Sequence, residues 1–216
     1  MPLPLDSFPD SSVIAENLII ENYPPSNEVL SIAYKLISGW ASVEKRQLDF
    51  IIRMLEGSSS VAASAYLSLN GAGPKMAFLR GAAKAALSEI EMEYLECTLE
   101  ASKPIMKFRN KLAHWSIVQV EGHSDNLVLQ NPIVNVSEVR TDNEGVFVFS
   151  FDEIKLHTEK THLLWQCYHY LMTIYSLARF NADKQKELEL RYVELREKLS
   201  SIDNQLQVPQ FPQVPP

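Results

Sequence analysis

The chain has 216 residues, 46% of them hydrophobic, and a net charge of −7. That length and apolar content suit one domain with a sizeable core, and the acidic balance excludes a protein whose whole surface binds nucleic acid. No apolar run is long enough to span a bilayer, and Met1–Asp10 lacks the basic start and apolar core of an export signal, so the expected setting is cytoplasmic with no membrane partner.

Residues 1–25, rich in Pro, Ser and Asp, read as an irregular leader with one short helix near Val13–Ile20. Ser26 and Asn27 are good N-caps for a long helix from about Glu28 to Leu55. Its apolar residues, among them Val29, Ile32, Leu36, Trp40, Val43 and Ile51, recur at steps of three and four and form one face. Gly57 and the serines after it end that helix. A shorter helix follows over Val61–Leu69, then the turn Asn70–Pro74, then helices over Lys75–Ala86 and Ser88–Ser102. The glycines before Lys75 lack the spacing of a phosphate loop and follow a helix rather than a strand, so the turn is read as a plain connection.

Pro104 either starts a new helix or kinks the preceding one, and the helical pattern continues to Ala113. Runs rich in β-branched and aromatic residues come next, at Ser116–Val120, Asn126–Leu129, Ile133–Val139 and Val146–Phe151. Turn signals separate them, which predicts a small antiparallel meander of three or four strands. A nearly all-round apolar helix from Glu153 or Thr158 to Phe180 is expected to be central and buried. The last helix, Ala182–Ile202, carries Leu188, Tyr192, Leu195, Leu199 and Ile202 as a seam that packs either on its own chain or on a second copy. Residues 207–216 hold four prolines and no charge, and read as a disordered tail. The predicted organisation is a leader, one helical domain over 26–206 with a β insertion at about 116–151, and the tail. Cys97 and Cys167 sit in apolar helical patterns as buried free thiols, and no metal site is expected.

The segment Ala101–Val120 holds four cationic side chains, one His and no carboxylate in an acidic protein. On a helical wheel Ile105, Phe108, Leu112 and Trp115 form an apolar stripe. Lys103, Lys107, Asn110, Lys111 and His114 gather on the opposite side, within roughly 100° of each other. Arg109 flanks the stripe and can reach toward either side. Lysines attract a nucleic-acid backbone, and an Arg fork stabilises charge building on phosphorus. An imidazole can take a proton from a ribose 2′-hydroxyl or give one to a leaving 5′-oxygen. Asn110 and His114, four apart, stack on one face, so the amide can orient the ring. The plain alternative is a solvated face with no chemistry.

Arg109-Asn110-Lys111-Leu112-Ala113-His114 resembles the signature of HEPN domains: an Arg, a polar residue often Asn, and a His four to six residues beyond the Arg. The stretch Gly39–Glu44, followed by Leu48, Ile51 and Ile52, looks like the long early helix of that family, where an acidic residue facing the motif is frequent. The resemblance implies an up-and-down helical bundle and metal-independent, cofactor-free cleavage of RNA, with the 2′-hydroxyl as nucleophile and a cyclic phosphate as product. It also implies two copies of the motif across a two-fold dimer. Arg109, Asn110 and His114 would then be the catalytic residues, Glu44 an acidic accessory, and Lys103, Lys107 and Lys111 the phosphate contacts. Such a homodimer would act as a toxin or defence effector, with an antitoxin or another protein as possible partner. The meander after Trp115 is not a usual element of the family. The rival reading is a non-catalytic helical module that binds a protein or a nucleotide. Glu89, Glu93, Glu96 and Glu100 form an acidic face that is solvated or docks on the basic face of a second protomer. His123, His157 and His162 are assigned to surface or interface positions.

Overall fold

A computed structural model describes residues 3–4, 27–55, 59–118, 126–130, 146–177 and 182–207. The expected helix at Val13–Ile20, the strand at Ile133–Val139, His123 and the tail beyond Gln207 lie outside the described residues. The chain is mainly α-helical with a small antiparallel sheet. Its helices are α1 (Asn27–Met54), α2 (Ser59–Ser68), α3 (Ala72–Ala86), α4 (Glu89–His114), α5 (Phe151–Leu177) and α6 (Ala182–Gln207). The strands are β1 (Leu3–Pro4), β2 (Ser116–Val118), β3 (Asn126–Gln130) and β4 (Val146–Ser150), in the order β1-β4-β3-β2. Residue contacts divide the chain into two compact units: residues 1–38, 106–159 and 201–216 form one, and residues 39–105 and 160–200 the other.

The first unit contains the sheet. Leu127 pairs with Phe149 and Leu129 with both Phe147 and Ile117, all antiparallel. Side chains alternate across a strand, so these residues share one face. Leu127, Leu129 and Phe149 meet Val29, Ala33 and Leu36 of α1, Phe108 and Leu112 of α4 and Ile154 of α5 in one buried core. The two-residue β1 adds an edge strand to β4, with Pro4 opposite Phe147. An edge is where a residue without an N–H is tolerated.

The second unit is a helical bundle. Gly39 lies so near Thr161 that an added Cβ would stand 3.2 Å from its Cγ2, which explains a helix-weakening residue in the middle of α1. A polar chain crosses the interior: the Tyr66 hydroxyl donates to Gln47 Oε1 at 3.2 Å, and Gln47 Nε2 donates to the Tyr168 hydroxyl at 2.9 Å. Burial, aided by the charge of Glu44, pushes the Tyr66 hydroxyl up to about 12. The Tyr192 hydroxyl bonds Thr98 and the carbonyl of Tyr94.

Three expectations need correction. Pro104 starts no new helix, because α4 runs through it from Glu89 to His114, past the expected end at Ser102. The proline is exposed, and on an exposed side the one hydrogen bond it deletes leaves a carbonyl that water can satisfy. Second, α5 is not buried all round. His162 is exposed and Trp165, Gln166, His169, Tyr170 and Thr173 are half-buried. Third, Cys97 is half-buried, and only Cys167 is fully enclosed, its thiol pushed up to about 12 by burial. The α6 stripe of Tyr192, Leu195, Leu199 and Ile202 is buried within the chain itself, which takes those residues out of any seam with a second copy.

Candidate functional site

The last three turns of α4 carry the segment singled out by its charge. The helix is fixed by its apolar side. Phe108 stacks on His157 with centroids 4.3 Å apart and lies 4.5 Å from Phe149, while Leu112 enters the same core. The opposite side faces solvent as the wheel predicts: Lys103, Lys107, Asn110 and His114 are all exposed. Asn110 and His114 are one turn apart, a separation of about 5–6 Å between Cβ atoms. The sequence then leaves the helix at Trp115 and enters β2 at Ser116, so His114 is the last helical residue.

Arg109 emerges from the flank of the apolar stripe and is half-buried. Its guanidinium turns toward the polar face, where Nη1 donates to Asn110 Oδ1 at 3.1 Å. Its Nε is buried without a hydrogen-bond partner among the described residues. No carboxylate among the described residues pairs with Arg109, Lys107 or His114. A guanidinium, an amide and an imidazole thus follow one another along a helix edge.

The other predicted contacts are placed differently. Lys103 is committed to Glu100, with Nζ 2.7 Å from both carboxylate oxygens. Lys111 is half-buried, its ammonium 3.5 Å from the Phe147 ring centroid and 5.0 Å from that of Trp115. Burial lowers its pKa, while the faces of the two rings favour the cation. Its wheel position is the edge of the polar face nearest Trp115, and the signal was the aromatic four residues on. Glu44 is half-buried on α1 in the other unit, where its charge acts on Tyr66.

The acidic face of α4 is largely matched within the chain. Glu96 accepts a bidentate pair from Arg80, with Nε–Oε1 and Nη2–Oε2 both 2.8 Å, and this holds its carboxyl below the ordinary range. Glu93 lies 3.9 Å from Arg196. His157 is buried against Phe108, not at the surface as expected. It stands three residues after the core residue Ile154, a spacing that puts it on the same inward face.

Among the described residues no helix is long and apolar enough to cross a membrane, and no group of three or more His, Cys, Asp or Glu is placed to hold a metal ion. No protein-family model, no curated protein and no solved structure matches the chain.

Proposed function

We propose that this chain is an endoribonuclease of HEPN type that works as a homodimer without a metal ion. The observation that carries the reading is the exposed edge of α4, where Arg109 reaches Asn110 and His114 stands one turn beyond, at the solvent-facing end of the helix. In the proposed reaction the ribose 2′-oxygen forms a bond to phosphorus and the bond from phosphorus to the 5′-oxygen breaks. The 2′-hydroxyl proton goes to a neutral imidazole, and the departing 5′-oxygen takes a proton from an imidazolium. One ring cannot hold both protonation states at once, so the two jobs call for two histidines, supplied by His114 of each protomer. Arg109 donates to the extra negative charge on the pentacovalent phosphorus. Asn110 keeps the guanidinium on the polar side of the helix, and Lys107 attracts the backbone. The family resemblance of the motif supports the metal-free route and the toxin or defence role.

The test is cleavage of single-stranded RNA by purified protein in excess chelator, with the new ends analysed for 2′,3′-cyclic phosphate. His114→Ala and Arg109→Ala should each abolish cleavage while the melting temperature stays close to that of the parent. Light scattering should give twice the 24.5 kDa chain mass. Cleavage that persists in both variants overturns the proposal.

A further inference from the structure

The second unit carries a different arrangement of aromatic and cationic groups, on the half-exposed arc of α5 where it runs beside α1. Residue pairs rise together along the two helices: Gly39 with Thr161, Gln47 with Tyr168 and Arg53 with Ser176. The helices therefore run in the same direction and share a seam. His162, Trp165 and His169 occupy positions i, i+3 and i+7 of α5, which places them on one face. Their rings are almost parallel. The His162 and Trp165 planes differ by 6° with centroids 6.3 Å apart, and the Trp165 and His169 planes by 7° at 5.5 Å. Arg46 of α1 lays its guanidinium over the Trp165 ring at 4.7 Å. Gln166 holds the exposed end of the ladder through a 3.0 Å bond to His162 Nε2. His169 Nδ1 is buried with no partner among the described residues.

Packing does not call for this arrangement. The inward arc of the same helix, with Leu164, Cys167, Tyr168 and Leu171 all buried, supplies the core contacts. Beyond Glu159, one turn before His162, α5 carries no carboxylate. On the facing edge of α1, Asp49 lies 3.7 Å from Arg46, and Arg53 donates to the Ser176 hydroxyl.

A row of parallel rings with a guanidinium on one face suits a flat aromatic group joined to an anion. We infer that this seam is a stacking site for an unpaired nucleobase and its phosphate in single-stranded RNA. Bases in a duplex are already stacked and covered, whereas an unpaired base offers its face to aromatic side chains. The base continues the ladder at its exposed His162 end, and Arg46 receives the phosphate. The ring planes are set beforehand by Gln166 and Arg46, so little ordering is left for the ligand to impose. That the strand is RNA rests on the cleavage reading above; the stacking geometry does not.

The experiment titrates the full chain with a labelled single-stranded oligonucleotide carrying 2′-O-methyl groups, which attack by a 2′-hydroxyl cannot cut, and follows anisotropy. Trp165→Leu and Arg46→Gln should each weaken binding about tenfold, and Trp165→Phe should retain most of it. Arg46→Gln keeps the test valid if Trp165→Leu fails to fold. Wild-type affinity in both variants overturns the proposal, as does an absence of binding or equal competition by a duplex or by a free mononucleotide. Binding without RNA cleavage removes only the nuclease reading. Cleavage without binding that depends on Trp165 removes only the stacking site.

Discussion

The exposed edge of α4 and the exposed arc of α5 are both faces of long helices in an acidic chain, yet they are built in opposite ways. On α4 the side chains have few partners: Lys107, Asn110 and His114 are exposed, and among the described residues the one hydrogen bond in the row joins adjacent residues, Arg109 and Asn110. On α5 the rings are held by one another, by Gln166 and by Arg46 from a second helix. A proton donor has to move between partners, and a stacking platform has to stay flat. On the proposed readings, side-chain freedom as much as residue type separates the face assigned to chemistry from the face assigned to binding. Replacing His114 breaks the comparison most severely. His114→Ala should lower the rate of RNA cleavage by about 10²–10⁴-fold, while Trp165→Leu should alter the dependence on RNA concentration and leave the saturated rate near that of the parent. Steady-state kinetics on a short RNA separate the two outcomes.

The next largest effect concerns what holds each face in place. Phe108 anchors the edge of α4 by contacts to Phe149 and His157. Phe108→Ala deletes a buried ring from the core that includes the sheet, at a cost of about 3–5 kcal/mol. Urea unfolding followed by far-UV circular dichroism should show the midpoint fall by that cost divided by the m-value. An unchanged midpoint would mean that the edge of α4 is not secured from behind.

How far the sequence could be read follows from the same contrast. The spacing of Ile105, Phe108 and Leu112 is a local property of one helix, so the inward and outward sides of α4 were legible, and with them the exposure of Asn110 and His114. The fate of Lys103 and Lys111 was less so. It depends on Glu100 one turn back and on Phe147, a residue 36 positions beyond Lys111, and only the pairing of β4 into the sheet brings that ring near. The seam on α5 was hidden for a similar reason. Trp165 looks like a core residue in an apolar run, and nothing local distinguishes a ring covered by leucines from one covered by Arg46. The helix starts, by contrast, carried a local signal. Ser88-x-x-Glu91 and Ser150-x-x-Glu153 have the spacing of a capping box, and both form it.

Those two boxes give a finer comparison, one in each unit. At the start of α4 the backbone N–H of Ser88 donates to Glu91 Oε2 at 2.8 Å, and the N–H of Glu91 donates to Ser88 Oγ at 3.4 Å. At the start of α5 the matching distances for Ser150 and Glu153 are 2.9 and 3.2 Å. Ser88→Ala and Ser150→Ala should each cost about 1 kcal/mol, read as a shift in the urea midpoint. Burial raises the Glu153 carboxyl, and the Ser150 bonds pull it back. Ser150→Ala should therefore raise it further, visible as a later carboxyl titration by NMR.

The smallest expected effect is one of pH, and it belongs to the α5 arc. Burial, and after it the charge of Arg46, lowers the pKa of His169 below its ordinary 6.5. The unfolded chain then binds a proton at a pH where the folded chain does not. The neutral ring's contribution is fully present above pH 6.5 and is lost as pH falls toward the lowered folded value. His169→Gln cannot take up that proton. Between neutral pH and pH 5 the parent should lose more stability than the variant, measured as the difference in urea midpoints at each pH. Identical slopes would mean that the imidazole takes up its proton alike in the folded and unfolded chain, and that neither burial nor Arg46 acts on it.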